Sequence, residues 1–134
     1  MAVVYGPCFG LEKELALRLA TAFGGGMGRN GELCGALSGS LMVIGMRHGR
    51  VDLADASPRD TAYQLTSTLF ERFKAEHGSV HCFELLGANL SDPKEYQRAR
   101  ENNLFRTRCP EFIRAAAENL EVLLDIPQAA EPRS

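Results

Sequence analysis

The chain has 134 residues, 45% of them hydrophobic and 24% charged, with a formal net charge of −2, which is enough for one domain with its own core and an ordinary balance for a globular protein. A net charge so close to zero, with no long run of like charges, gives no electrostatic footprint for nucleic acid or an acidic membrane surface. The opening MAVVYGPCFG lacks the charged and apolar regions of a signal peptide, and the longest nearly apolar run, at 33 to 46, is shorter than the roughly 20 residues of a membrane span. A cytoplasmic chain without a transmembrane segment is therefore expected.

Residues 1–10 form an N-terminal arm ahead of the first periodic segment. From 11 to 23, Leu11, Leu15, Leu19, Ala20 and Phe23 recur at helical spacing, and Gly24 supplies a stop. A second helix is expected from the capping residue Asn30 to about His48, before Gly49. The third opens at Ser57 with Pro58 in first position and Asp60 in the first turn, carries Ala62, Leu65, Leu69, Phe70 and Phe73 on one face, and closes at His77-Gly78. Ser79 begins a short helical turn that Gly87 ends. Ser91-Asp92-Pro93 starts a polar helix reaching about Asn102, and Cys109-Pro110-Glu111 starts the last, with Ile113, Ala116, Ala117, Leu120 and Leu123 as its stripe. No segment alternates with period two for long. The expected fold is all-α, a compact single-domain bundle of about five helices over 11–126, with a disordered tail at 127–134.

The segment GGGMGRNGELCGALSG at 24 to 39 holds seven glycines. It lacks the lysine and hydroxyl residue of a phosphate loop, and it follows a helical pattern rather than the strand that a dinucleotide fingerprint needs. A helix-to-helix turn, or anion capture at the next helix N-terminus, accounts for Gly24, Gly25 and Gly26. Gly31, Gly35 and Gly39 are spaced by four, which inside a helix sets them on one face at a cost of about 1 kcal/mol each relative to alanine. Such a face lets a neighbouring backbone, a cofactor or a second copy of the chain approach closely.

Four cysteines contain no CxxC pair, so the ordinary zinc-finger and ferredoxin spacings are absent, and without CxxCH there is no signal for covalent haem. Cys34, Cys82 and Cys109 all fall near expected helix N-termini, where the partial positive charge favours thiolate and depressed thiol pKa values are expected. His81 adjoins Cys82 and is a weaker candidate ligand or base, as is Cys8. His48 and His77 sit at helix ends, where an imidazolium suits the dipole. Ser38 either hydrogen-bonds the Cys34 sulfur or bonds back to its own helix.

The string Cys34-Gly35-Ala36-Leu37-Ser38-Gly39, a CGAxxG motif preceded by FGGGMGR and followed by separate cysteines in HGSVHCFELLG and RTRCPEF, resembles the C_GCAxxG_C_C family. The resemblance runs from about Leu11 to Leu124. It implies a small helical prokaryotic protein with a redox or metal role and no established reaction, and Cys34, Cys82 and Cys109 match three of the four family cysteines. The fourth usually lies on an additional N-terminal helix, whereas Cys8 stands three residues before Leu11. The resemblance thus implies an iron-sulfur cluster, another thiophilic metal or thiol-disulfide exchange at Cys34, Cys82 and Cys109, together with a redox partner. The alternative is a noncatalytic interaction module or homodimer, with the cysteines as core packing.

Overall fold

The computed structural model describes residues 1–127, so the tail expected from Pro127 onward lies, apart from that proline, outside the described residues. The architecture is all-α. Its helices are α1 (Ala2–Tyr5), α2 (Lys13–Ala20), α3 (Gly35–His48), α4 (Ser57–His77), α5 (Cys82–Leu86), α6 (Pro93–Glu101), α7 (Leu104–Thr107) and α8 (Cys109–Leu124), with 3-10 turns at Gly6–Phe9 and Thr21–Phe23 and a short irregular turn at Gly24–Met27. Helical segments are thus more numerous than the expected five, because short turns form between the long helices. Among the described residues no helix is long and apolar enough to cross a membrane.

Helices α3, α4 and α8 pack against one another and enclose the core. Leu37, Val43 and Ile44 from α3, Leu69 and Phe73 from α4, and Phe112, Ala116 and Leu120 from α8 are all buried there. Each large aliphatic or aromatic side chain removed from water in this way contributes about 1.5–3 kcal/mol. The boundaries of α4 follow from local chemistry. Pro58 sits in its first turn, Asp60 faces the N-terminal dipole, and Gly78 closes it at φ 85° by donating to the Lys74 carbonyl. Asp92 caps α6 by accepting from the Lys94 amide at 2.8 Å and the Glu95 amide at 3.3 Å.

Several expectations are corrected. The second helix begins at Gly35 with Cys34 as its cap rather than at Asn30, because the chain from Gly25 to Arg29 turns with the opposite hand. Gly25, Gly26, Met27, Gly28 and Arg29 have φ of 66°, 69°, 65°, 61° and 70°, and Gly28 donates to the Gly24 carbonyl. Such a turn is cheap for glycine and costs about 1–2 kcal/mol for each other residue. Gly31, at φ 72°, belongs to this loop and not to the helix, so the three glycines spaced by four do not share a helical face. In α2 it is Ala16 that is buried, while Leu15 and Leu19 stay about half exposed, since this short helix lies at the bundle edge against α1. On α8 the buried set is Phe112, Ala115, Ala116, Leu120 and Leu124, while Ile113 is about half exposed. Residues 2–9 are folded: Ala2 and Tyr5 are buried, and the Tyr5 hydroxyl donates to Glu121.

Gly26 makes the closest approach. A Cβ there would stand 2.6 Å from the Glu32 amide nitrogen and 2.7 Å from Cys82 Cβ. Gly26→Ala should therefore cost about 3 kcal/mol, from overpacking and the left-handed backbone together. Gly45→Ala, where nothing lies within 4 Å inside α3, should stabilise by about 0.5–1 kcal/mol. Urea denaturation of both variants checks the pair, and equal stabilities would refute the packing account.

Candidate functional site: a cavity with three thiols

Two short segments on either side of α3 and α4 are drawn together by a bridge. Leu33 pairs antiparallel with His81, the Cys34 amide donates to the Val80 carbonyl at 2.9 Å, and the Cys82 amide donates to the Glu32 carbonyl at 2.7 Å. Alternation along the paired segments puts Cys34 and Cys82 on one face of this ribbon, as diagonal neighbours. His81 lies on the other face and is exposed. The start of α8 brings Cys109 to the same place. All three cysteines line one cavity of about 190 Å³, together with Gly25, Gly35, Ala36, Leu85, Leu86, Phe105, Phe112 and Ile113.

Cys34 is buried, Cys82 is buried and Cys109 is half-buried, and the three are free thiols. Their electrostatics reverse the expectation of depressed pKa values. Burial pushes the Cys34 thiol up, and the Ala36 and Leu37 amides at the start of α3 pull it down too weakly to compensate. Burial, with Cys34 and Cys109 adding like charge if ionised, pushes Cys82 up to about 11. Cys109 is raised by burial and then by Cys34. A helix terminus is worth about 0.3–1 kcal/mol to a charge, less than one pKa unit, so desolvation wins.

The other candidates stand apart from the cavity. Cys8 is exposed, in the 3-10 turn that follows Tyr5. Tyr5 bonds Glu121, about 18 Å along α8 from Cys109 at the rise of a regular helix, and Cys8 is not among the residues that line the thiol cavity. The glycines do admit close neighbours, but from within the chain. A Cβ on Gly31 would meet Phe83 Cβ at 2.9 Å, one on Gly35 the Phe23 carbonyl oxygen at 3.3 Å, and one on Gly39 Met1 Cβ at 2.8 Å. Ser38 bonds back to the Cys34 carbonyl at 3.3 Å. His77 packs on Phe73 and Phe112 at ring separations of 4.7 and 5.2 Å, in the structural place expected of it. Sequence reasoning missed Gly26, whose signal was the glycine triplet, and Phe105, which carried none.

Each raised thiol keeps its proton in the folded chain at pH values where the unfolded chain has lost it. Its contribution to stability is therefore complete below the ordinary thiol pKa of about 8.5, and for Cys82 is lost as pH climbs through about 11. The melting temperature of the metal-free protein should fall between these limits, and Cys82→Ser should flatten that fall. In the same state iodoacetamide at neutral pH should label exposed Cys8 well before the other three, which peptide mass spectrometry reads directly.

A family model described as "Putative redox-active protein (C_GCAxxG_C_C)" matches residues 1–123. No curated protein and no solved structure matches the chain. The pattern in the family's name reads GCAxxG where this chain reads Cys34-Gly35-Ala36-Leu37-Ser38-Gly39, so the cysteine here stands one residue earlier. With that departure, and a match over nearly its whole length, the chain belongs to the C_GCAxxG_C_C family.

Proposed function

We propose that this is a redox protein whose centre is Cys34, Cys82 and Cys109, and that these thiols hold a thiophilic metal ion or an iron-sulfur cluster. The observation that supports the reading is the convergence of three thiols, from three separate segments, on one apolar cavity. Soft thiolate donors without competing carboxylates select copper(I), zinc or iron-sulfur groups. A buried, protonated thiol is a poor nucleophile at neutral pH, yet it yields its proton when a cation takes its place. The raised pKa values therefore favour a ligand over an unassisted nucleophile.

The donor set suits such a group better than the present sulfur positions do. Among the described residues no group of three or more His, Cys, Asp or Glu side chains stands ready to hold a metal ion, and sulfurs ligating at about 2.3 Å must lie roughly 4 Å apart. Closing that gap requires the cysteine side chains to turn into the cavity between them. Gly25 and Gly35 leave room there, and Leu85, Leu86, Phe105 and Phe112 keep water out. A bound cluster would supply one-electron chemistry, and since Cys8 does not line the cavity a fourth ligand would come from outside this set of cysteines.

The bridge favours a second reading. Diagonal residues of an antiparallel pair have Cα atoms about 7–8 Å apart, close to the 7 Å or so that a disulfide spans. Cys34 and Cys82 would then form one S–S bond, releasing two protons and giving two electrons to an acceptor.

Anaerobic reconstitution with ferrous iron and sulfide, and separately with zinc, followed by absorbance and metal analysis, distinguishes these readings. Stoichiometric uptake that Cys34→Ser, Cys82→Ser and Cys109→Ser each weaken about tenfold or more, and that Cys8→Ser leaves unchanged, is expected. No uptake, with loss of two thiols to a mild oxidant, selects the disulfide. Neither result would leave the cysteines as packing residues.

A further inference from the structure

We infer that the exposed arginine face beside the thiol cavity, formed by Arg29, Arg100 and Arg106 around Tyr96 and Phe105, is the docking surface for a small acidic electron-carrier protein. The carrier's role rests on the redox reading above, while the docking rests on charge and geometry alone.

Between Pro93 and Arg114 the chain holds six basic residues and three acidic ones, although its net charge is −2. Arg29, Arg100 and Arg106 are exposed. The ion pairs among the described residues are Arg18 with Glu14, Arg59 with Asp60 and His77 with Glu76, so none of the three has a carboxylate partner there. The local acids are turned to other work: Glu95 accepts from the Asn89 amide at 2.6 Å and Glu101 from the Gln97 side chain at 3.0 Å. The segment therefore keeps an excess of positive charge, and none of the three arginines is held in an ion pair among the described residues.

Its aromatic centre joins it to the cysteines. The Arg29 guanidinium lies 4.0 Å from the centroid of the Tyr96 ring and that of Arg100 lies 6.0 Å from it. Tyr96 and Phe105 are 5.9 Å apart. Arg29 holds this place at φ 70°, a conformation that costs about 1–2 kcal/mol, whereas an exposed cation-π contact returns only about 0.5–1 kcal/mol. Two open hollows, of about 480 Å³ beside Arg29 and Tyr96 and about 400 Å³ between Arg100 and Arg106, share Phe105 as a wall. Phe105 also lines the thiol cavity, and Gly25 is common to that cavity and the larger hollow. A carrier seated on the arginines thus faces the cysteines across one phenyl ring and a glycine. Were an oxidised iron-sulfur cluster held by Cys34, Cys82 and Cys109, one electron would pass from the carrier's reduced group to that cluster, oxidising the carrier by one electron and reducing the cluster by one.

An acidic protein fits better than nucleic acid. The patch is local, and the net negative charge of the rest of the chain repels a polyanion long enough to extend beyond it, whereas a compact partner touches the patch alone.

The test is titration of the full chain with an acidic plant-type ferredoxin, and in parallel with a single-stranded DNA 20-mer, between about 50 and about 300 mM salt. Ferredoxin binding should weaken about tenfold or more over that range, and about tenfold at low salt in the Arg100→Glu/Arg106→Glu pair. The Arg100→Lys/Arg106→Lys pair should stay within about threefold, because the charge is kept. The Arg100→Gln/Arg106→Gln pair, checked by circular dichroism, replaces the glutamate pair if that fails to fold. Cys34→Ser/Cys82→Ser should bind as the parent does, so failure of the cysteine chemistry and failure of docking read separately. Absence of ferredoxin binding at low salt, indifference to the arginine substitutions, or tighter binding of the DNA would each overturn the inference.

Discussion

The backbone must pass within contact distance of itself at Gly26, and the placement of the thiols follows from that passage. Gly26 offers its carbonyl to the Glu32 amide at 3.0 Å, Glu32 offers its own to Cys82 at 2.7 Å, and Gly31 accepts from Phe83 at 3.0 Å. The left-handed turn is thereby locked to the segment before α5, and the Leu33–His81 bridge carries the lock across to Cys34. Main-chain hydrogen bonds are each modest in net energy but costly to leave unmade when buried. A continuous series of them fixes two cysteines more firmly than side-chain packing would. Glycine is the only residue that can stand at the centre, because any Cβ would strike both Glu32 and Cys82.

Burial then sets the chemistry. Two effects compete at each sulfur: the amides at a helix start favour the anion, and the apolar lining disfavours it. At Cys34 both are visible, with the Ala36 and Leu37 amides opposing a larger desolvation. At Cys82 the prospective charges on its two neighbours work in the same direction as burial. Three thiols in one apolar space cannot ionise together without a counter-charge, and that interdependence is what couples proton release to the arrival of a cation.

The long helices were legible because their ends carry local chemistry: Ser57, Pro58 and Gly78 frame α4 as read, and Cys109 with Pro110 opens α8. The convergence of Cys34, Cys82 and Cys109 was legible only through the family resemblance and their shared place near helix starts. The left-handed turn was not, since Met27 and Arg29 accept positive φ only under tertiary constraint. Nor was the bridge, because a single pair of residues leaves no alternating pattern to read. The leucines of α2 misled for a related reason. Periodicity shows which residues share a face but not which face the bundle covers: Leu15 and Leu19 remain half exposed while Ala16 is buried. The direction of the thiol shifts failed because a sequence shows helix starts and does not show the dielectric around them.

The order Cys34-Gly35, reversed from the pattern in the family's name, has a structural consequence. Gly35 is the first residue of α3, and a Cβ there would meet the Phe23 carbonyl oxygen at 3.3 Å, tighter than ordinary contact. A side chain at that position would press on the 3-10 turn ending at Phe23, which would have to give by a few tenths of an ångström. Cys34 instead supplies the sulfur from the cap, where its backbone is non-helical at φ −53° and ψ 132° and its amide is already held by Val80. The sulfur thus reaches the cavity from the bridged ribbon rather than from the helix, on the same face as Cys82. Gly35 then takes the place against Phe23, where the absence of a side chain avoids that close contact. The exchange of two residues moves the thiol by one position, keeps it in the cavity, and ties its geometry to the bridge instead of to α3.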